Sequence, residues 1–163
     1  MQVNSQSARV TLPTDEQILV TREFDASKEL VYKAWTTPEL VKRWWSAKRG
    51  ETTVADIDLR PGGKWRSAMV TDDGTEVAFH GEYQDVVPNE RIVSTEVYEG
   101  IPDGEASATL NTVTFEERDG RTILTLLVEA PSKDVRDAIV ASGMEDGLQD
   151  ALDLLEELAV SLG

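Results

Sequence analysis

The C-terminal segment carries the pattern that most constrains the fold of this chain. Apolar side chains recur there at helical spacing, at Met144, Leu148, Ala151, Leu152, Leu155, Leu158, Ala159 and Leu162. Acidic side chains fill the opposite face, at Glu145, Asp146, Asp150, Asp153, Glu156 and Glu157. The pattern predicts one long helix whose apolar stripe must be buried against another layer. A shorter helix is predicted before it over 133–141, with Ser132 as its cap and Gly143 as the break.

The layer that covers this stripe is predicted to be an antiparallel sheet. Runs rich in β-branched and aromatic residues are separated by short turns, which favours a meander of hairpin-linked strands. The strongest hairpin signal is Asp119-Gly120. The predicted strands cover 17–24, 52–60, 64–71, 76–86, 91–98, 109–118 and 121–130.

Two short helices are predicted after the first strand. Leu30, Val31, Ala34 and Trp35 recur at helical spacing, with Asp25 or Ser27 as the cap. Thr37-Pro38 starts the second helix, with proline at its first position. The stretch WTTPELVKRWW spans both helices and holds three of the four tryptophans. We expect Trp35 to be core, and either Trp44 or Trp45, with Trp45 preferred, to lie at a cavity entrance.

The length of 163 residues fits one domain, predicted over 17–163 behind a flexible arm over 1–16. The predicted class is α+β: a curved sheet of six to seven antiparallel strands wrapped on the long helix, with the two short helices after strand 1. Such a sheet leaves either a filled core or an internal cavity beneath the helix.

Charge and composition exclude several function classes. With 31 acidic against 16 basic residues, the formal charge is −15, so nucleic acid is not an expected partner. No apolar run is long enough to span a membrane, and no signal-like segment starts the chain. We therefore expect a cytoplasmic protein without membrane insertion. The absence of cysteine excludes disulfides and thiolate chemistry.

The residues show no recognised catalytic or metal-binding constellation. The single histidine, His80, alternates onto the polar face of its strand, and no second histidine exists to form a His-type metal site. Asp56 and Asp58 are interpreted as exposed acidic side chains and not as metal ligands. Pro61-Gly62-Gly63 joins two strands and is interpreted as a turn. We predict no catalytic residue, no metal and no cofactor.

Alternation places several polar side chains among large apolar ones on the face that would meet the long helix. Burying such groups without partners is unfavourable, whereas pocket water or a ligand could satisfy them. Polar side chains near strand ends could instead be hydrated by bulk water and have no function. The predicted cavity lining is Trp44, Trp45, Trp65, Ser67, Met69, Phe79, Tyr83, Ser94, Glu96, Asn111, Val113, Phe115, Met144 and Leu148.

Five blocks in order resemble a known family. They are REFDASKELVYKAWTTPELVKRWW, DIDLRPGGKW, HGEYQDVVPNERIV, VTFEERDGRTILTL and SGMEDGLQDALDLLEEL. Together they resemble the family related to the C-terminal domain of the Hsp90 ATPase activator, within the Bet v 1-like (START-like, or SRPBCC) superfamily. The resemblance implies a helix-grip fold with an elongated cavity between the sheet and the C-terminal helix.

Three functions remain open at this stage. The first is non-catalytic binding of a small hydrophobic or amphipathic molecule, since relatives in the superfamily bind lipids, sterols, polyketides or plant hormones. The second is a cyclase- or hydrolase-like enzyme with Glu96 as acid or base. The third is an Hsp90-type chaperone cofactor or stress-response interaction protein. We rank it last, because about 16 residues precede the match and the activator's additional domain is not expected. A homodimer is a further possible assembly.

Overall fold

Eight strands and four α-helices make up residues 8–163, the part of the chain that the computed structural model describes. A single 3-10 turn over Gly104–Ser107 precedes the seventh strand. In chain order the elements are β1 (Arg9–Thr11), β2 (Gln17–Phe24), α1 (Lys28–Thr36), α2 (Pro38–Trp44), β3 (Gly50–Ile57), β4 (Lys64–Thr71), β5 (Glu76–Val87), β6 (Arg91–Tyr98), β7 (Thr109–Arg118), β8 (Arg121–Glu129), α3 (Lys133–Ala141) and α4 (Met144–Leu162).

All strands belong to one antiparallel sheet in the order β1-β2-β8-β7-β6-β5-β4-β3. Strands β3 to β8 form the predicted meander, and β2 returns beside β8. The hairpin predicted at Asp119-Gly120 is confirmed, because both residues adopt positive φ, 56° and 78°, between β7 and β8. Glycine takes that conformation without steric cost.

The strand count of six to seven was too low, and the additional strand is β1. It pairs antiparallel with β2, with Val10 opposite Val20. The amide side chain of Gln149 fixes the start of this segment, because it accepts from Ala8 N (3.0 Å) and donates to Ala8 O (2.7 Å). Residues 9–11 therefore form a strand within the predicted arm over 1–16, whereas residues 1–7 lie outside the described part.

Strand β3 begins and ends earlier than the predicted range of 52–60. Residues after Ile57 form a turn instead, in which Arg60 N donates to Asp58 O (2.9 Å) and Gly63 N donates to Arg60 O (2.8 Å). The register of β3 against β4 also shifts between Thr52 and Val54. This bulge interrupts the alternation of side chains along β3.

The helix boundaries follow the predicted capping signals closely. Ser132 Oγ accepts from Val135 N (3.2 Å) at the start of α3, and Gly143 takes φ 85° before α4. Ser27 and Thr37 hold the N-cap positions of α1 and α2 without a side-chain cap bond, and Pro38 occupies the first turn of α2.

The core lies between the sheet and α4. Buried residues of the sheet, such as Ile92, Val113 and Phe115, share one cluster with Leu152 and Leu155 of α4. Helix α1 packs against α4, β7 and β8, and α2 packs against α4 and β3. The sheet face in this cluster is called the inner face below.

A buried cation joins α4 to strand β2. Arg22 is 1% exposed, and its guanidinium donates to Asp153 Oδ1 at 2.8 Å and to Glu156 Oε1 at 3.0 Å. Glu156 also accepts from the backbone N of Asp25 at 2.8 Å. A buried guanidinium needs such partners, because an unpaired one would be strongly unfavourable. The two carboxylates therefore fix the rotation of α4 against the sheet.

Candidate functional site

The predicted polar and aromatic residues of the sheet share its inner face. Hydrogen-bonded register shows this directly, because residues opposite each other in a ladder point to the same side. The inner-face pairs are Trp65 with Gly81, Ser67 with Phe79, Phe79 with Tyr98, Tyr83 with Ser94, Ser94 with Asn111, and Glu96 with Thr109.

The predicted lining residues differ in how far they are buried. The fully buried ones are Trp44, Ser67, Tyr83, Val113 and Phe115. The half-buried ones are Trp45, Trp65, Met69, Phe79, Ser94, Glu96, Asn111, Met144 and Leu148. Met144 and Leu148 belong to the first turns of α4 and pack against the core, so the half-buried group includes residues from the sheet and from the helix.

Three polar side chains form a connected cluster on the inner face, the Glu96 cluster. Thr109 Oγ1 donates to Asn111 Oδ1 at 2.9 Å, and Asn111 Nδ2 donates to Glu96 Oε1 at 2.9 Å. Burial raises the pKa of Glu96, and the hydrogen bond from Asn111 partly opposes that rise. The amide of Asn111 is thus oriented by Thr109 and held against one carboxylate oxygen.

Other polar atoms on this face have no partner among residues 8–163. Glu96 Oε2, Ser94 Oγ and Tyr83 Oη make no hydrogen bond with the described protein atoms. The hydroxyl of Tyr32, on α1, is fully buried and also unpaired. It lies near Tyr83, and burial raises the pKa of both phenols. The inner face therefore offers several hydrogen-bonding groups that the surrounding protein does not use.

Trp65 lies across the neighbouring strand, and a glycine permits this. Its indole Nε1 donates to the backbone O of Thr95 on β6 at 3.2 Å. A Cβ at Gly81 would stand 2.7 Å from that nitrogen and 1.8 Å from Thr95 O. No side chain fits there, so Gly81 makes room for the indole beside the Glu96 cluster.

Aromatic rings continue from α2 to the open side of the inner face. The Trp45 ring meets Phe79 edge-on at 6.0 Å between centroids, and Phe79 meets Tyr98 at 5.1 Å. Tyr98 is 39% exposed. These three rings, called the aromatic series, connect the inner face with solvent.

The other two tryptophans of the helical stretch have a packing role. Trp44 is buried, and its Nε1 donates to Ala34 O of α1 at 2.9 Å. Trp35 stacks on Trp44 at 5.1 Å and meets Phe115 at 6.2 Å. Trp35 is only half-buried, although its contacts are those of a core residue. Trp44 thus anchors α2 to α1, whereas Trp45 is the ring that contacts the inner face.

Thr109, Gly81 and Tyr32 are site residues that the predicted lining did not include. Extending the alternation of β7 back from Asn111 would have found Thr109. The role of Gly81 depends on which residue crosses over it, and that requires the strand register. Tyr32 reaches the inner face through the packing of α1, for which the sequence carries no local signal.

A separate surface pocket of about 240 Å³ lies between α2 and the C-terminal half of α4. Its lining residues are Arg43, Leu154, Glu157, Leu158 and Ser161. None of them belongs to the predicted lining. This surface pocket gives a useful comparison for any ligand-binding experiment.

His80 lies on the outer face of the sheet within an ionic group. Its side chain is 40% exposed, with Nδ1 2.8 Å from Glu99 Oε2. Arg66 donates to both oxygens of the same carboxylate at 2.9 Å. These contacts lower the pKa of Glu99 to about 2, chiefly through Arg66. Within residues 8–163, no group of three or more His, Asp or Glu is placed to hold a metal ion.

Glu99→Gln should lower the free energy of unfolding by about 1 kcal/mol at neutral pH, the upper range for a partly exposed ion pair. The depressed pKa means that this contribution is complete above the ordinary carboxyl pKa of 4.5 and is lost as the pH falls from there to about 2. Thermal unfolding measured from neutral pH to acid should show the two proteins converging. Glu105→Gln is the control, because Glu105 is 84% exposed and 3.6 Å from His80. A difference that grows in acid would contradict the assignment.

Comparison with known proteins places the chain in a family. The sequence model of the family described as Activator of Hsp90 ATPase homolog 1-like protein matches residues 25–159. The chain belongs to this family. The resemblance drawn from the five sequence blocks is therefore confirmed. Among curated proteins, none matches the chain.

Solved structures of several bacterial proteins share the fold. A Rhodobacter sphaeroides protein superposes with a TM-score of 0.88 at 22% identity, covering 95% of this chain and 99% of its own. A solution structure from Arthrobacter aurescens gives 0.83 at 22% identity, covering 94% and 91%. Protein Ms6760 of Mycobacterium smegmatis gives 0.80 at 24% identity, covering 92% and 96%.

These similarities confirm the helix-grip fold of the family, with one more strand than predicted. No helix within residues 8–163 combines the length and the apolar character needed to cross a membrane.

Proposed function

We propose that this family member binds a small hydrophobic or amphipathic molecule between the inner face and α4, without catalysing a reaction on it. The observation that carries the proposal is the set of unused hydrogen-bonding groups on the inner face, above all Ser94, Tyr83 and Glu96. They lie on two neighbouring strands, with Tyr83 of β5 opposite Ser94 of β6 and Glu96 two residues further along β6.

Polar side chains on the inner face are energetically unfavourable in a purely structural core. The buried and unpaired hydroxyl of Tyr32 costs about 1–3 kcal/mol, which a core of apolar side chains would avoid. Groups that stay half-buried on an inner face retain access to water or to a bound molecule. Convergent polar groups within an apolar surround are typical of ligand sites.

The apolar part of the site suits the body of an amphipathic ligand. The aromatic series provides one apolar surface, and Met144 and Leu148 of α4 are half-buried against the core cluster. Aromatic side chains provide large contact areas at little cost in conformational entropy, and methionine adapts its shape to different ligands. The proposed ligand therefore has its apolar body at the aromatic series and its polar atoms toward the Glu96 cluster.

A titration with N-phenylnaphthylamine, a neutral fluorescent probe, tests the proposal. The probe should bind to the wild-type protein with enhanced emission and with energy transfer from the tryptophans. Phe79→Ala should weaken binding about ten-fold, which corresponds to about 1.4 kcal/mol, because Phe79 contacts both Trp45 and Tyr98. Mass spectrometry of molecules retained through purification would identify the natural ligand class.

Two control variants separate this site from other surfaces. Val160→Ala removes an apolar side chain that is 50% exposed on α4 and should leave probe affinity unchanged. Ser161→Phe fills the surface pocket beside Arg43 and should also have no effect. Loss of binding in Ser161→Phe with normal binding in Phe79→Ala would move the site to the surface pocket and contradict the proposal.

A further inference from the structure

The polar end of the inner face has an unusual balance of donors and acceptors. Asn111 Nδ2 is engaged with Glu96 Oε1, and Asn111 Oδ1 receives the Thr109 hydroxyl. Glu96 Oε2 is left without a partner among the described residues. A carboxylate oxygen accepts hydrogen bonds and cannot donate them. Because burial raises the pKa of Glu96 and disfavours its charged form, a ligand that donates a hydrogen bond or carries a positive charge favours the ionised form, in which the cluster offers an acceptor.

No protein cation balances this carboxyl group. Burial and the Asn111 amide are the two influences on the pKa of Glu96, and no Lys, Arg or His within residues 8–163 contributes. The strand cations nearest in register, Lys64 and Arg66 of β4, flank Trp65 and so belong to the outer face, where Arg66 pairs with Glu99. A second negative charge beside Glu96 would be repelled in a medium of low polarity, whereas a hydrogen-bond donor or a positive charge would be attracted.

We infer that the ligand carries an uncharged or positively charged donor group, an alcohol or an amine, that Glu96 accepts, and that the site discriminates against carboxylates and phosphates. This inference rests on the proposed function and specifies its ligand class. Sites built to hydrogen-bond one group reject analogues that leave a buried polar atom unpaired. For an anionic ligand, charge repulsion from Glu96 adds to the loss of the hydrogen bond.

Arg49 is the cation that would favour an anionic ligand instead. It follows α2, and its guanidinium lies beside Gly147 in the first turns of α4, with Cζ 3.5 Å from the position of an added Cβ. An anionic ligand anchored there would bind at the end of the helix and leave Glu96 unused. Comparing the affinities of ligands that differ only in their end group therefore distinguishes binding at Glu96 from binding at Arg49.

Three ligands with the same ring and different ends test the inference by isothermal titration calorimetry at neutral pH and high salt. They are naphthylethylamine, naphthylethanol and naphthylacetate. The wild-type protein should bind the amine at least about ten-fold more tightly than the carboxylate, with the alcohol between them. Glu96→Gln should reduce that ratio to below about three-fold, by weakening the amine and strengthening the carboxylate.

The control has the same charge change on the other side of the sheet. Glu82 is exposed on β5, so Glu82→Gln should leave the ratio unchanged if selectivity is local to Glu96. Glu96→Ala removes the carboxyl group altogether and should also reduce the ratio to below about three-fold; an unchanged ratio would count against the inference, and this variant serves if Glu96→Gln does not fold.

The possible outcomes distinguish failure of this inference from failure of the proposed function. A carboxylate bound as tightly as the amine, or a ratio that Glu82→Gln changes as much as Glu96→Gln, overturns the inference while binding at the site stands. Tightest binding of the carboxylate with loss in Arg49→Gln overturns it in favour of the helix end. Failure of all three ligands and of N-phenylnaphthylamine to bind overturns the proposed function, and the inference with it.

Discussion

Arg22→Ala should lower the free energy of unfolding by about 3–5 kcal/mol, the range for breaking a buried ion pair by removing one partner. Arg22 is 1% exposed and donates to Asp153 and Glu156 on α4. Its guanidinium also lies 5.1 Å from the centroid of the Phe24 ring. The substitution removes two charge-assisted hydrogen bonds and leaves a cavity between β2 and the helix. Denaturant unfolding followed by circular dichroism measures the loss.

An exposed ion pair provides the matched control for this prediction. Arg60 contacts Asp58 at 2.9 Å with side chains that are 68% and 50% exposed. Arg60→Ala should change stability little, because solvent already screens such a pair. Arg22→Met tests how much of the loss is packing, since methionine refills part of the volume. Equal and small losses for Arg22→Ala and Arg60→Ala would show that α4 is held by apolar contacts alone.

Gly81→Ala should have the second-largest effect, a loss of about 3 kcal/mol, at the upper end for overpacking. The added Cβ would lie 1.8 Å from Thr95 O and 2.7 Å from Trp65 Nε1. The neighbouring atom on β6 is backbone, so strands β5 and β6 must separate or the indole must leave. We expect both a lower melting temperature and weaker binding of N-phenylnaphthylamine, with a changed near-ultraviolet circular dichroism spectrum.

The same chemical change in α4 should have the opposite sign. At Gly147 an added Cβ would meet only the Arg49 guanidinium, at an ordinary contact distance of 3.5 Å. Gly147→Ala should therefore stabilise the protein by about 0.5–1 kcal/mol, because alanine favours the helix. Stability unchanged in Gly81→Ala would mean that the inner face has more room around Trp65 than these distances indicate.

Local signals explain why most of the fold could be predicted from the sequence. Ser132 and Gly143 bound α3 as expected, and Asp119-Gly120 forms the hairpin, because each acts within a few residues of itself. Strand β1 could not be predicted in this way. Its three residues, Arg9–Thr11, show no clear alternation, and their order depends on β2 and on Gln149, 141 residues from Ala8.

The candidate site also combines local features, which could be predicted from the sequence, with tertiary features, which could not. Alternation placed Ser94, Glu96 and Asn111 on the inner face correctly, since a period of two is a local property of a strand. The hydrogen bond between Asn111 and Glu96, and the clearance that Gly81 gives to Trp65, depend on register between strands. Register is a tertiary property, and a one-residue slip would have reversed every such contact.

The reciprocal hydrogen bonds between Ala8 and Gln149 also bear on the order in which the molecule assembles. They connect the start of the described chain to the helix formed by its last residues. Closing so long a loop is entropically costly before the intervening chain is ordered. We therefore expect β1 to attach last, onto a sheet and helix that are already folded. Its detachment should leave the rest of the domain folded.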